Sequence, residues 1–215
     1  MSISEVSTMN MKVRRFATQL QYSLIALVLI NVCPSRAMAQ DGHSHTATPQ
    51  HHEMTPDQQR RAGALLRIVR ESTERFKDVS VAEAEGYALQ FGCVSGPDSG
   101  AMGLHYVNGD LVNRGEVDAK YPQIVIYEPT PNGGLRLIGA DFLILAEAWD
   151  KKNQGPPELM GQLFHYWESP NRFGLPAFYT LHVWAWKDNP NGSFVNWHPN
   201  VSCESFAGKN PWSGR

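Results

Sequence analysis

The 215-residue sequence has no excess of positive charge, because 19 Lys and Arg are set against 21 Asp and Glu. Nucleic acids and anionic membrane surfaces attract clusters of Lys and Arg. Neither is therefore an expected partner, and a metal ion or a small-molecule ligand is expected instead.

Local catalytic motifs are also missing. The chain contains no H-E-x-x-H, no C-x-x-C and no G-x-S-x-G pattern, so it matches none of the usual zincin, thioredoxin-like or serine-hydrolase signatures. The glycine-rich segment 92–103 lacks the Lys-Ser/Thr pair of a phosphate-binding loop, and we expect an ordinary loop there. Any chemistry must therefore come from residues that are distant in sequence.

Long uninterrupted runs of apolar residues are scarce, and the run discussed here lies near the N-terminus. A basic cluster at 12–15 precedes the apolar run 24–32, and Ala37-Met38-Ala39 follows it. The run is too short to cross a membrane comfortably, and the three parts are typical of a secretory signal peptide. We expect cleavage after Ala39 and a periplasmic or secreted protein with no membrane insertion after cleavage. A lipoprotein signal at Cys33 is the weaker alternative, because the bulky Val32 precedes that cysteine.

Loss of residues 1–39 removes four basic residues and one acidic residue. The 19 basic and 21 acidic residues of the whole chain become 15 and 20, a net charge near −5. The remaining 176 residues suit one domain with a substantial core.

Cysteine is scarce, with three in the whole chain. Cys33 belongs to the predicted signal, which leaves Cys93 and Cys203. In an exported protein such a pair is expected to form one disulfide. A thiolate nucleophile or metal ligand is the alternative, although a free reactive thiol is hard to keep in an oxidising compartment.

Residues 40–54, QDGHSHTATPQHHEM, hold four of the eight histidines and almost no apolar side chain. Such a segment cannot bury enough surface to offset its conformational entropy, so we expect a mobile linker. Short His-rich tracts also bind divalent metals weakly. A plain polar linker and weak metal capture both remain open.

Residues 55–215 are predicted to form a single α+β domain. Thr55, Pro56 and Gln58 have the pattern of a capped helix start, and a second short helix is expected to begin at Ser80 with Glu83 as its capping partner. Short apolar runs cut by Gly, Pro, Asn and Asp then predict about five strands, at 102–108, 123–128, 134–145, 161–167 and 178–186. The PNGG turn at 131–134 predicts an antiparallel hairpin. We therefore expect N-terminal helices covering a mainly antiparallel sheet, with one disulfide.

Titratable residues interrupt these apolar strands. A carboxylate in an apolar strand is costly unless it is paired, hydrogen-bonded or bound to a metal. Imidazoles and carboxylates are ligands for Zn, Cu or Fe, and one open coordination position could activate water or hold a substrate. The predicted metal ligands are His105, His165, His182, Glu128 and Asp141.

Tryptophan gives a second interpretation of the same strands. By the alternation of a strand, His182 shares its face with Trp184 and Trp186, and His165 shares its face with Trp167. A metal-free module that binds a small ligand or a carbohydrate through Trp167, Trp184 and Trp186 is the alternative to a metal site. A purely structural or partner-binding domain is the third. His198 lies in a Pro- and Asn-rich loop, where we expect a surface role near the disulfide.

The segments GAMGLHYVN, IVIYEPTPNGGLRLIGADF, LHVWAWKDNPNG and NPNVSC resemble a group of exported bacterial proteins whose activity is not established. Over residues 75–205 this resemblance implies that His105, Glu128, His182 and Cys203 belong to a recurring pattern. Asp141 stands where the group is expected to have Glu, which keeps an acid but shortens its reach. The resemblance implies no reaction.

Overall fold

The computed structural model describes residues 54–208. The predicted signal peptide and all of the predicted linker except Met54 lie outside the described residues. The helices, in chain order, are α1 (Pro56–Thr73), a 3-10 helix (Glu74–Lys77), α2 (Val79–Ala84), α3 (Gly109–Arg114) and α4 (Ala146–Asp150). The strands, in chain order, are β1 (Tyr87–Gly96), β2 (Gly100–Asn108), β3 (Ile124–Pro129), β4 (Leu135–Leu145), β5 (Glu158–Leu159), β6 (Gln162–Leu163), β7 (His165–Trp167) and β8 (Phe178–Val183).

Helix α1 begins as the sequence predicts. The Thr55 hydroxyl accepts from the Gln58 amide at 3.2 Å, and the Gln58 side chain accepts from the Thr55 amide at 2.8 Å, which completes a capping box. Leu65 and Val69 on its inner face are fully buried. They pack against residues of the central strands, so the helix covers one face of the sheet.

Helix α2 begins one residue earlier than predicted. Asp78, not Ser80, is its N-cap, and the Asp78 carboxylate accepts from the Ser80 amide at 3.0 Å. A carboxylate at this position also interacts favourably with the helix dipole.

The main sheet has six antiparallel strands in the order β1-β2-β3-β4-β8-β7 and is curled. The predicted α+β class and the antiparallel β3–β4 hairpin around PNGG are confirmed. The centre of the sheet is its most buried part, since every residue of β3 is buried. The two central pairings, β3–β4 and β4–β8, position most of the site described below.

Two strand predictions were wrong. Residues 87–96 form β1, although no strand was predicted there and residues 92–103 were expected to be a loop. Only three residues separate β1 from β2, its antiparallel partner. The predicted strand 161–167 is divided into β6 and β7, and β6 pairs with β5 in a separate two-stranded sheet. Strand β1 has two register shifts, and Gly92 lies in the first of them at a positive φ of 66°. These irregularities break the alternation by which a strand is predicted from sequence.

Cys93 and Cys203 form the predicted disulfide. It joins β1 to the C-terminal segment and spans a sequence separation of 110 residues. By the loop-entropy model, closing a loop of this length contributes roughly 4 to 5 kcal/mol to stability. Within residues 54–208, no helix combines the length and apolar character needed to cross a membrane.

Candidate metal centre

Three strands bring His105, Asp141 and His182 to one point on the sheet. Asp141 of β4 is the direct cross-strand partner of His182 of β8, and directly opposed residues project from the same face. His105 comes from β2, on the other side of β3. Because the sheet is curled, its ring reaches His182 across β3 and β4.

The three side chains form a compact group. One ligand atom from each residue lies within 4.8 Å of the other two. His105 Nε2 is 3.4 Å from His182 Nε2, and His182 Nδ1 is 3.6 Å from Asp141 Oδ1. All three residues are at most 5% exposed. The second distance is too long for a hydrogen bond, so the group is close-packed but weakly bonded within itself.

Neighbouring residues orient two of these side chains. His105 Nδ1 donates to the Gly103 carbonyl at 3.2 Å, which leaves an unprotonated Nε2 directed at His182. The Thr180 hydroxyl donates to Asp141 Oδ1 at 2.5 Å. Such contacts hold a side chain in position before any ligand arrives.

His182 is less well satisfied. Its Nδ1 is buried and has no hydrogen bond of regular geometry among the described residues, although an interaction with the Asn196 side chain acts to raise the pKa of His182. The indole of Trp184 lies against the His182 ring, with centroids 5.8 Å apart and an angle of 29° between the planes. A buried nitrogen without a partner is costly, so this cluster is incomplete as it stands.

Burial controls the charge of the group. Desolvation lowers the pKa of His105 to about 4, with the neighbouring His182 acting in the same direction. Desolvation also lowers the pKa of His182 to about 3. It raises the pKa of Asp141 to about 6, against the opposing effects of His105 and Thr180. At neutral pH the group therefore consists of two neutral imidazoles and a carboxylate that is mostly ionised.

A cavity of about 30 Å³ adjoins the group, and its surface is almost entirely apolar. About 10 to 15 Å³ is enough for one water molecule. The cavity therefore has room for one very small molecule. Besides the three titratable residues and Thr180, its lining consists of Phe91, Met102, Ile124, Leu143, Trp167, Phe173, Leu175 and Phe178.

Two of the five predicted metal ligands lie elsewhere. His165 is opposite Thr180 on the neighbouring strand, but it is exposed, and its Nε2 is 3.4 Å from the Phe194 carbonyl. Glu128 is 6% exposed and is bound by Arg136, by Lys187 and by the amide of Ser202. Burial acts to raise the pKa of Glu128, but these partners outweigh it and lower the pKa. Of the five predicted ligands, the structure therefore brings His105, Asp141 and His182 into one group.

The three predicted tryptophans have three different surroundings. Trp167 lines the cavity and stacks on Phe178. Trp184 is 1% exposed and lies against His182. Trp186 does not share the face of His182: its Nε1 donates to Thr73 at the end of α1, and Lys77 lies over its ring. Strand β8 ends at Val183, so strand alternation no longer applies at position 186.

The surface role predicted for His198 was wrong, because this residue is fully buried. Its backbone pairs with Ala101 at the start of β2, and its ring meets Trp184 edge-on at 5.0 Å. Loop composition concealed this position. The sequence signal that could have revealed it is its closeness to Cys203, because the disulfide draws this segment against the sheet.

Comparisons with protein-family models, curated proteins and solved structures find no match to the chain. The chemistry of the donor set therefore has to be argued directly. Two imidazoles and one carboxylate are ligands that Zn, Fe(II) and Cu(II) all accept, and three protein ligands leave coordination positions open.

Proposed function

We propose that this is an exported protein that binds one transition-metal ion, Zn, Cu or Fe, through His105, Asp141 and His182. The observation that carries the proposal is the convergence of two imidazole nitrogens and one carboxylate in a buried group. Disulfide formation and the signal-like N-terminus support export.

The separation of the two imidazoles suits a shared ion. Metal–nitrogen bonds of about 2.0 to 2.1 Å at a tetrahedral angle place the two nitrogens about 3.4 Å apart. The Nε2 atoms of His105 and His182 are 3.4 Å apart. Two neutral imidazoles can also approach this closely when they share one proton in a hydrogen bond, so metal content has to be measured.

Charge also favours a cation. Within residues 54–208, Asp141 forms no ion pair with Lys or Arg. The titratable group nearest to its carboxylate is His182, whose Nδ1 lies 3.6 Å from Asp141 Oδ1. Desolvation keeps that histidine neutral at pH 7. A buried carboxylate without a positive partner is unfavourable. A divalent ion would balance this charge and would bind the Nε2 atoms of both histidines.

A bound ion would supply Lewis acidity and could lower the pKa of a water molecule in an open position. The residues of this chain would hold the ion, keep both imidazoles neutral and exclude bulk water.

The cavity volume argues against the alternative of a sugar-binding module. Pockets for ligands of that size usually have about 300 to 1,000 Å³, whereas this cavity has about 30 Å³. Stacking on a sugar also requires an accessible ring face, and Trp184 is 1% exposed. A surface pocket of about 430 Å³ lined by Tyr166 and Trp167 has the volume for a larger ligand, but His105, Asp141 and His182 do not line it.

The test is metal content in the full chain with His43, His45, His51 and His52 replaced by Ala, so that the His-rich segment cannot contribute. We expect about one equivalent of Zn, Cu or Fe by elemental analysis. Asp141→Asn and His182→Gln should each reduce it to less than a tenth, because each removes a ligand while keeping a similar shape.

His165→Ala is the matched control, because His165 is exposed on the adjacent strand and should not affect metal content. Circular dichroism would verify that each variant is folded. Folded Asp141→Asn and His182→Gln variants that keep a full equivalent of metal would contradict the proposal, as would a metal-free parent that takes up none of the three ions.

A further inference from the structure

The apolar cavity beside the candidate metal centre has a neighbour that is closer to the surface. Gln90, Val107, Val112 and Pro176 line this outer pocket, whereas none of them lines the inner cavity. Phe91, Leu143 and Leu175 line both. These three side chains therefore lie between the outer pocket and the inner cavity, and they are called the partition below.

The backbone at Phe91 is unusual in a way that concerns this partition. Phe91 has a φ of 66°, a left-handed conformation that non-glycine residues rarely adopt. It lies in the register shift between Gln90 and Cys93, where β1 bulges away from β2. Bulges and strained residues often direct a side chain at a functional site. Here the bulge directs the Phe91 ring to the cavity, where it meets Phe173 edge-on at 5.6 Å.

We propose that the site formed by His105, Asp141 and His182, when it holds Fe(II), binds a neutral diatomic gas from the apolar cavity, and that the gas enters past Phe91. The inference rests on the proposed metal site and adds the class of its exogenous ligand. Binding is reversible coordination, in which the gas donates a lone pair to the ion and no bond of the gas is broken.

Size is the first reason for this ligand class. The cavity of about 30 Å³ holds about two molecules of the size of water at 10 to 15 Å³ each. A diatomic molecule fits that space, whereas an amino acid, a sugar or an aromatic ring does not.

Polarity is the second reason. A water molecule in a buried site needs two to four polar partners, and the cavity wall away from the ligand residues is aromatic and aliphatic. An apolar gas loses nothing by leaving water for such a wall. The ion and one carboxylate together would carry a net positive charge, but an anion would have to give up its hydration for an apolar wall, which is costly, and a small neutral molecule avoids that cost.

The experiment uses the full chain with the four linker histidines replaced by Ala, loaded with Fe(II) without oxygen. Nitric oxide is the probe, and the ferrous nitrosyl is followed by electron paramagnetic resonance. Iron content is determined on the same sample. We expect about one nitrosyl for each bound iron, and we expect neither azide nor imidazole to reduce the signal.

Phe91→Gly tests the route, because glycine accepts the positive φ and removes the ring. It should speed nitric oxide association at least tenfold with unchanged iron content. Leu145→Ala is the matched control, because Leu145 lines the outer pocket but not the inner cavity, and it should leave the rate within twofold of the parent.

The possible failures can be told apart. Bound iron without a nitrosyl, or a nitrosyl displaced by azide or imidazole, would overturn the ligand class and leave the metal site standing. An unchanged rate in Phe91→Gly would overturn the route. Absence of bound iron, zinc and copper would overturn the metal site and this inference together.

Discussion

At the residue scale, two acids buried within residues 54–208 have contrasting surroundings. Glu128 is bound by Arg136 and Lys187, and these cations lower its pKa although burial acts in the opposite direction. Asp141 is buried to a similar degree but has Thr180 and two neutral histidines as neighbours, and its pKa is raised. The charge of Glu128 is thus balanced by two cationic side chains, whereas no Lys or Arg within residues 54–208 forms an ion pair with Asp141.

This contrast predicts how metal affinity depends on pH. Asp141 must be ionised to bind a cation, and burial raises its pKa to about 6. The pKa values of His105 and His182 are lowered to about 4 and 3, so both imidazoles are still neutral at pH 5. Affinity should therefore be constant above about pH 7 and fall about tenfold for each pH unit between about pH 6 and 4, the slope expected for one competing proton.

Competition titration against a chromophoric chelator at several pH values would measure this slope in the parent with alanine at the four linker histidines. The Asp141→Asn variant should bind more weakly and lose the slope between pH 6 and 4. Loss of metal that begins near pH 6.5 and involves more than one proton would instead indicate ordinary exposed histidines.

At the scale of elements, β2 shapes the site through an irregular backbone. Gly103 has a φ of 91°, and a Cβ atom there would lie 2.6 Å from the carbonyl oxygen of Tyr127 on β3. The same glycine provides the carbonyl that accepts from His105 Nδ1. Close approach of β2 to β3 and orientation of the imidazole thus depend on one residue without a side chain.

Gly103→Ala should therefore affect both stability and metal binding. We expect a loss of about 1 to 3 kcal/mol in the free energy of unfolding, because the new methyl group clashes with backbone and the positive φ is strained. Metal affinity should fall about tenfold or more as the His105 acceptor shifts. Urea denaturation and chelator competition would measure the two effects.

Gly109→Ala is the matched control, because nothing lies within 4 Å of a Cβ atom at that position. Its unfolding free energy and metal affinity should be close to those of the parent. A Gly103→Ala variant as stable as Gly109→Ala would show that the β2–β3 contact can relax without cost.

At the scale of the whole molecule, the two faces of the sheet differ in the residues that they bury. One face packs against α1 through Leu65 and Val69. The other holds the titratable group among apolar residues that include Ile126, Leu143 and Trp184. The disulfide and the hydrogen bond from the Ser202 amide to Glu128 attach the C-terminal segment to the sheet. Conventional apolar packing on the first face supplies stability that the polar cluster on the second face does not.

This division predicts a specific effect of metal removal. An ion that binds only the folded state stabilises it by about 2.7 kcal/mol when the free ion is at 100 times its Kd. Chelation should therefore lower the urea midpoint of the parent reversibly while leaving it folded, since the α1 face is unaffected. The folded Asp141→Asn variant should show no change with chelator, and a parent equally insensitive to chelator and to added metal would argue against the site.

Features that depend on neighbouring residues in the sequence were predicted correctly, whereas features that depend on distant residues were not. The α1 capping box and the PNGG hairpin were predictable because both are local backbone features. Strand β1 was missed because bulges and glycines interrupt its alternation, and His198 was misplaced because its burial depends on a distant disulfide and on Ala101. The Trp186 prediction was wrong because β8 ends before strand alternation reaches that residue.

By itself the sequence determined the α+β class, the disulfide pair and the unusual cost of Asp141, since each follows from local pattern or residue chemistry. Only the tertiary structure decided which acids and histidines meet. His105 and His182 are 77 residues apart, and the curl and register of the sheet bring their nitrogens together. Strand alternation defines the two faces of each strand, but it does not specify which residues on one face will meet, because that depends on strand order, bulges and curvature.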